Sequence, residues 1–319
     1  MARGFRKKGV DARAWNWPCT EWCNIEKAWS PTSIVHVKFI CLCAVVGWPR
    51  AAHVFDPVDT FDVLSNITEV DALLVQTSLC KQDLERQPTL LPILASGQLE
   101  VHWLPHHHLN KHDLRVDPAA GVRRVGVHTI HVDRELQQEV ERALASHFSA
   151  SGIGEEPEFV HLDPNMLFQF NEGRLTTPQH TDMVYQQLST LQIGFAKQSG
   201  CVSEWFFCSR WKTGQRLVNM MSVGMPAVVW SDAQGYLDVV EGLWPNGDGG
   251  PQAEVYPPEL IITSDSDVHV ALKALLNNAS LRAEASEKGL RLAARFHLDR
   301  IVDHLDDILL AIEARKAAQ

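Results

Sequence analysis

The 319-residue sequence has no CxxC pair, no short internal repeat, no low-complexity tract and no excess of positive charge. Its seven cysteines are scattered and odd in number, which argues against a disulfide framework or a zinc site and for reduced thiols. The formal net charge of −10 argues against nucleic acid as a general partner, so any anion site has to be a local basic cluster. The apolar run IVHVKFICLCAVV (34–46) carries Lys38. It falls short of the ~20 residues a membrane helix needs, so it reads as a buried strand with its continuation. No apolar stretch follows the basic opening MARGFRKKG, so no cleavable signal is expected. A cytoplasmic location is favoured, with the secretory pathway open if a targeting segment was removed. The sequons at Asn66 and Asn278 are too short to decide the matter.

What is present is the composition of a globular protein, 45% hydrophobic and 21% charged, and long enough for two domains. Strand-like and helix-like segments alternate. Strands are expected at 33–45, 49–59, 71–78 and 99–108, with helices at 61–67 and 79–86. The polar stretch NKHDLRVDPAAG (110–121) makes a linker. Alternation then restarts, with strands at 123–129, 157–163, 191–197, 226–230 and 259–264. Helices are expected at 133–148 and 235–242, and the tail 266–319 is helical nearly throughout, with a kink near 296–300. This is the pattern of parallel sheets covered by helices, in two Rossmann-like domains facing a cleft. The domain ranges are 1–114, 115–290 and a closing helical segment 291–319. The chain opens on a helical pattern without the usual first strand and glycine-rich turn, so a minimal or truncated N-terminal domain is expected.

The most informative stretch is SRWKTGQRLVNMMSVGMPAVVW (209–230). It reads as a loop, a helix capped by Thr213, and a buried strand launched after Gly224 and Pro226. Arg210, Lys212 and Arg216 crowd the helix start, where the dipole is positive and cations are out of place. A phosphate or diphosphate reverses that sign, because backbone N–H groups, the dipole and the cations then act together. The plain structural alternative is a solvated basic turn. Gly214 and Gly235 allow close approach of backbone to a ligand, and Asp232 offers an acceptor beside the latter.

The segment 210–242 resembles the donor-binding core of GT-B glycosyltransferases. Arg216 and Asn219 fall on the family's basic and acidic positions. Ser222, Gly224, Pro226, Val228 and Val229 follow its small–Gly–Pro–apolar run, and Ser231, Asp232, Gly235, Asp238 and Val239 its loop and next helix. Segments 50–78 and 279–309 resemble the acceptor-side domain and the closing helices, so the likeness covers most of the chain. It implies a nucleotide-diphosphate sugar donor held by Arg210, Lys212, Thr213, Gly214 and Arg216, without a metal or other cofactor, and a glycan or other hydroxyl acceptor. The chain departs from the family where the E-x7-E pattern of retaining members would fall, on Trp211 and Asn219.

Other constellations supply candidate catalytic groups. VFDPVDTFD (54–62) places Asp56 and Asp59 past a strand, where a carboxylate can deprotonate an acceptor hydroxyl. An Asp-Pro turn with a helix cap accounts for the same residues. HWLPHHHLNKH (102–112) offers His107 as a second base, or an exposed polar loop. In the resembled fold the loop after the first strand of the second domain faces the cleft, which would bring His128 and His131 to the donor; a structural histidine at a strand end is the competing account. A GT-B-like module that binds nucleotide or glycan without catalysis is the competing reading.

Overall fold

The computed structural model describes residues 5–6, 8–12, 31–37, 40, 42–57, 67–108, 110, 113–128, 133–151, 157–162, 177–197, 212–245 and 255–318. The chain divides into two units. One comprises residues 1–106, 203–212 and 298–319, the other residues 107–202 and 213–297.

The first unit is built on strands β1 (Ser33–Val37), β2 (Ala52–Asp56), β3 (Ala72–Val75) and β4 (Glu100–Trp103), all parallel and adjacent in chain order. The inner strands β2 and β3 are almost wholly buried, as expected of a parallel sheet covered on both faces. The expected strand 33–45 is shorter. Parallel pairing of β1 with β2 requires a crossover of a dozen or so residues. The stretch 38–51 supplies it and contains helix α1 (Leu42–Gly47). Helix α2 (Ser78–Glu85) is capped by Thr77, whose hydroxyl accepts from the Cys80 N–H. Helix α3 (Leu91–Ala95) was not anticipated. The expected helix at 61–67 lies outside the described residues except for Ile67, which opens a 3-10 turn.

The second unit carries β5 (Arg124–Val127), β6 (Glu158–His161), β7 (Ile193–Ala196), β8 (Ala227–Trp230) and β9 (Ile261–Ile262). All are parallel, in the order β6-β5-β7-β8-β9. Its helices are α4 (Arg134–Ser151), α5 (Thr177–Leu188, also unanticipated), α6 (Gln215–Ser222), α7 (Gln234–Val240), α8 (Val268–Asn277) and α9 (Ala279–Arg295). Leu136, Val140 and Leu144 recur at helical spacing and give α4 its buried stripe. Gly224 ends α6 at φ 69°, and a Cβ there would press on Ser286 of α9. The buried core runs through both faces of this sheet.

The division between the units falls at 106/107, ahead of the expected 114/115. The reason is hydrogen bonding. Asn110 Nδ2 donates to the carbonyls of Leu114 and Ser222, and the Val116 N–H donates to the Val223 carbonyl. The polar stretch 110–121 is thereby stitched onto the second unit.

The tail forms three helices. Asn278 caps α9, its side chain accepting from the Leu281 N–H. The chain breaks again at Phe296–His297. The final helix, α10 (Leu298–Ala318), belongs to the first unit. Ile301, Leu305, Ile308 and Ile312 form its buried stripe. Arg315 pairs with Glu100, and the Lys316 ammonium lies 2.9 Å from the Asp71 carboxylate.

Candidate functional site

In a sheet of order β6-β5-β7-β8-β9, the crossover from β5 runs to β6 on one side and the next returns from β6 past β5 to β7 on the other. That makes the carboxyl edge between β5 and β7 the topological switch point, where such sheets bind ligands. His128 is the first residue beyond β5 and Lys197 the first beyond β7, so the two flank that point.

On the His128 side the site is cationic and imidazole-rich. Arg216 sits in the first turn of α6, whose N-cap is Gly214 and not the expected Thr213; the Thr213 hydroxyl, one residue earlier, accepts from the Gln215 N–H at 3.0 Å. The Arg216 guanidinium hydrogen-bonds the hydroxyl of Tyr236, a fully buried residue of α7. Burial pushes the Tyr236 phenol up to about 12, against the opposing pull of the Arg216 charge, so it stays neutral beside that cation. His128 lies in the fields of Arg216, His180 and His161. Burial first, then these neighbours, holds its imidazole down to about 4, well below the ordinary histidine range. His180 is likewise lowered by burial. The buried Nδ1 of His128 and Nε2 of His161 have no hydrogen-bond partner. Each orphaned polar atom costs about 1–3 kcal/mol, a cost that ligand acceptor oxygens remove where the nitrogen carries a proton.

On the Lys197 side the charges are already paired. The Lys197 ammonium lies 2.8 Å from Asp133 and 2.7 Å from Asp265. It also stands 5.7 Å from the centroid of the Trp230 ring. The Trp230 indole N–H donates to the other oxygen of Asp265 at 2.8 Å, and Asp133 accepts from the Leu136 N–H at the start of α4. Burial disfavours the Lys197 charge, but the two carboxylates outweigh it and raise its pKa. Asp232, exposed past β8, feels both Lys197 and Asp265, and burial of its carboxyl raises its pKa. One cation therefore stands among three carboxylates.

Of the residues named from sequence, Thr213, Gly214, Arg216, Asn219, Asp232, Gly235 and His128 all belong to the second unit, whereas Lys212 falls in the first. Three of them make contacts inside the protein that the sequence did not announce. A Cβ on Gly214 would collide with the Gly235 carbonyl and come within 2.7 Å of Val239 Cγ2. The close approach these glycines permit is between the starts of α6 and α7, where ligand contact was expected. Asn219 is buried, and its side-chain oxygen accepts from the Tyr185 hydroxyl at 2.8 Å. Asp56 is the last residue of β2 and accepts from Gln76 Nε2 at 3.3 Å. His107 opens the second unit and is half-buried. Asp59 and Arg210 lie outside the described residues. Sequence reading missed Lys197, Asp133, Asp265, His161, His180 and Tyr236. A lysine and two aspartates just beyond apolar runs were the available signal. Among the described residues, no group of three His, Cys, Asp or Glu is arranged to hold a metal ion, and no helix is long and apolar enough to cross a membrane.

A parallel α/β unit with this strand order defines a Rossmann-like architecture. Comparison with solved structures makes the class more specific. The chain is similar to an α,α-trehalose-phosphate synthase (UDP-forming) from Burkholderia vietnamiensis, at 14% identity and a TM-score of 0.55, covering 87% of this chain and 70% of that one. It is similar to a sucrose-phosphate synthase from Thermosynechococcus elongatus, at 12% identity and a TM-score of 0.51, covering 89% and 74%. An E. coli trehalose-6-phosphate structure bound with UDP-2-fluoro glucose aligns at 10% identity and a TM-score of 0.54, covering 91% and 75%. The fold is that of the GT-B glycosyltransferases, with two Rossmann-like units. No protein-family profile and no curated protein matches the sequence.

Proposed function

We propose that the second unit binds a nucleotide-diphosphate sugar and that the chain transfers the sugar to an acceptor hydroxyl. One observation carries the reading: Arg216 and two imidazoles with orphaned nitrogens, His128 and His161, gather at the switch point of a sheet with GT-B topology. A diphosphate supplies acceptors to all three and reverses the unfavourable placement of Arg216 at a helix start. Asp232 supplies an acceptor for a sugar or ribose hydroxyl, and Lys212 stays a sequence-based candidate for a phosphate contact.

In the transfer, the bond from the anomeric carbon to the diphosphate oxygen breaks and one to the acceptor oxygen forms. Arg216 and the imidazoles stabilise charge growing on the departing diphosphate, and a carboxylate receives the acceptor proton. Asp56 and Asp59 are the candidate carboxylates, with His107 as the alternative base. This reading assigns no metal to the chemistry.

A second reading is a nucleotide- or glycan-binding module without catalysis. Two observations favour it: Lys197 is already neutralised by carboxylates, and Asn219 is engaged by Tyr185. Thermal shift with UDP- and GDP-sugars, followed by assays of donor hydrolysis and transfer, separates the two. Stabilisation that is lost in Arg216→Ala supports the donor site, and turnover supports the transferase. Stabilisation without turnover favours the module. No response to any nucleotide sinks the site.

A further inference from the structure

We propose that binding of a nucleotide-diphosphate sugar draws a proton onto His128, so that donor affinity is set by pH through this one imidazole. The inference rests on the donor-site reading above and gives that site a regulation.

Among the described residues, the charged and titratable groups facing His128 come from three elements: Arg216 from α6, His180 from α5 and His161 at the end of β6, and none of these is a carboxylate. In the empty site the ring is half-buried beside a fixed guanidinium, so the neutral form is favoured, and its buried Nδ1 has no partner. The Tyr236 phenol, to which Arg216 is hydrogen-bonded, also feels the negative charge of Asp232. A diphosphate placed against Arg216 changes each of these terms. It offers an oxygen acceptor to Nδ1–H, cancels the repulsion from Arg216 and supplies negative charge at contact distance. All three changes favour imidazolium. The step is a proton equilibrium: a solvent proton enters with the donor and leaves with the product.

The sign follows from linkage. Where the bound state holds more protons than the free state, affinity rises as pH falls, by up to about tenfold per pH unit for one proton. The window runs from the value of the free site, about 4, up to the value reached with ligand. Histidine is suited to this role, since a modest stabilisation of its charge carries it across neutral pH.

Calorimetric titration of the full chain with UDP-glucose and GDP-mannose, in buffers of different ionisation enthalpy, measures the proton count. A nucleotide sugar is the right probe because its diphosphate is esterified at both ends and has no proton of its own to exchange near neutral pH. Expected is an uptake approaching one proton at about pH 6, with affinity rising several-fold from about pH 8 to about pH 6. His128→Gln should bind more weakly and without pH dependence. The His128 ring signal in carbon-13 NMR of the wild-type protein should move to the imidazolium position on ligand addition, which keeps the test alive if the variant folds poorly. Binding without proton uptake overturns this inference alone, as does uptake that persists in His128→Gln. Absence of binding by any nucleotide sugar overturns it together with the donor-site reading.

Discussion

Each unit of this chain gathers lysine or arginine with carboxylates at one end of a parallel sheet, and the ends are opposite. In the first unit, Asp71 precedes β3 and Glu100 begins β4, so the cluster lies at the amino ends of the strands. There Lys316 and Arg315 of α10 are consumed in fastening the final helix to the sheet, and Arg315 also reaches the Asp71 carbonyl at 3.2 Å. In the second unit, His128, Lys197, Asp232 and Asp265 follow strand ends, at the carboxyl edge where open α/β sheets take ligands. Part of that cluster is paired and part is left with unpartnered nitrogens. Charge composition alone does not separate a fastening from a site. Strand direction and unspent hydrogen-bonding capacity do.

The sharpest way to break the comparison is to remove one arginine from each cluster. Arg216→Ala should weaken nucleotide-sugar binding about 100-fold, since a charge-assisted contact to phosphate and the order it imposes are both lost. Arg315→Ala should leave affinity unchanged and lower only the stability of the first unit. Calorimetric titration of both variants checks this. Equal loss in the two would erase the distinction between the clusters.

A smaller effect tests how the site is built. Gly214→Ala places a methyl group against the Gly235 carbonyl and Val239, forcing α6 and α7 apart. The cost should be about 2 kcal/mol in denaturant unfolding, because backbone cannot yield as a flexible side chain does. Gly97→Ala is the control: it has open space around it but a φ of 73°, so its smaller loss is backbone strain alone.

Gly214 and Gly235 also show how far sequence reading reaches. The alternation of strands and helices, the two-unit plan and the basic start of α6 were all legible, because each rests on local pattern. The role of Gly214 and Gly235 was not. A glycine advertises close approach, but the partner is set by how α6 and α7 pack, and that is a tertiary fact. The same holds for Asn219, whose partner Tyr185 lies 34 residues away on α5. Lys197 was overlooked for a related reason: its meaning comes from Asp133 and Asp265, which only the order β5-β7-β8-β9 brings to one edge. Helix α1 was hidden inside an apolar run because a short buried helix and a buried strand look alike in composition. Asp59 and Arg210 fall outside the described residues, so the acceptor-side carboxylate and one of the three cations stay as sequence expectations.

Lys197→Met should cost about 1–2 kcal/mol at neutral pH, since it leaves Asp133 and Asp265 facing each other without their cation. The pH dependence gives the test its direction. The Lys197 pKa is raised in the folded protein, so its contribution is complete below the ordinary lysine value and fades as pH climbs through the raised one. The Asp133 pKa is lowered; burial opposes this, but the Leu136 N–H and Lys197 outweigh it. Its contribution is therefore complete above the ordinary aspartate value and fades as pH falls through the lowered one. The gap between wild type and variant should be widest across neutral pH and close toward both extremes. A gap that stays flat down to strong acid would mean that Lys197 acts through packing on Trp230 instead of through charge.

The smallest expected effect belongs to the amino-end cluster. Lys316→Met removes one partner of Asp71, but Asp71 also accepts from the His53 N–H at 2.7 Å, so the carboxylate is not stranded. With both groups about one-fifth exposed, the loss should not exceed about 1 kcal/mol, and salt should reduce it. Nucleotide-sugar affinity should be untouched. The double variant Lys316→Met/Lys197→Met then completes the contrast, because residues in separate units with no shared partner should act additively on stability. A coupling larger than about 0.5 kcal/mol would show that the two clusters communicate, and the assignment of one to fastening and the other to ligand would have to be given up.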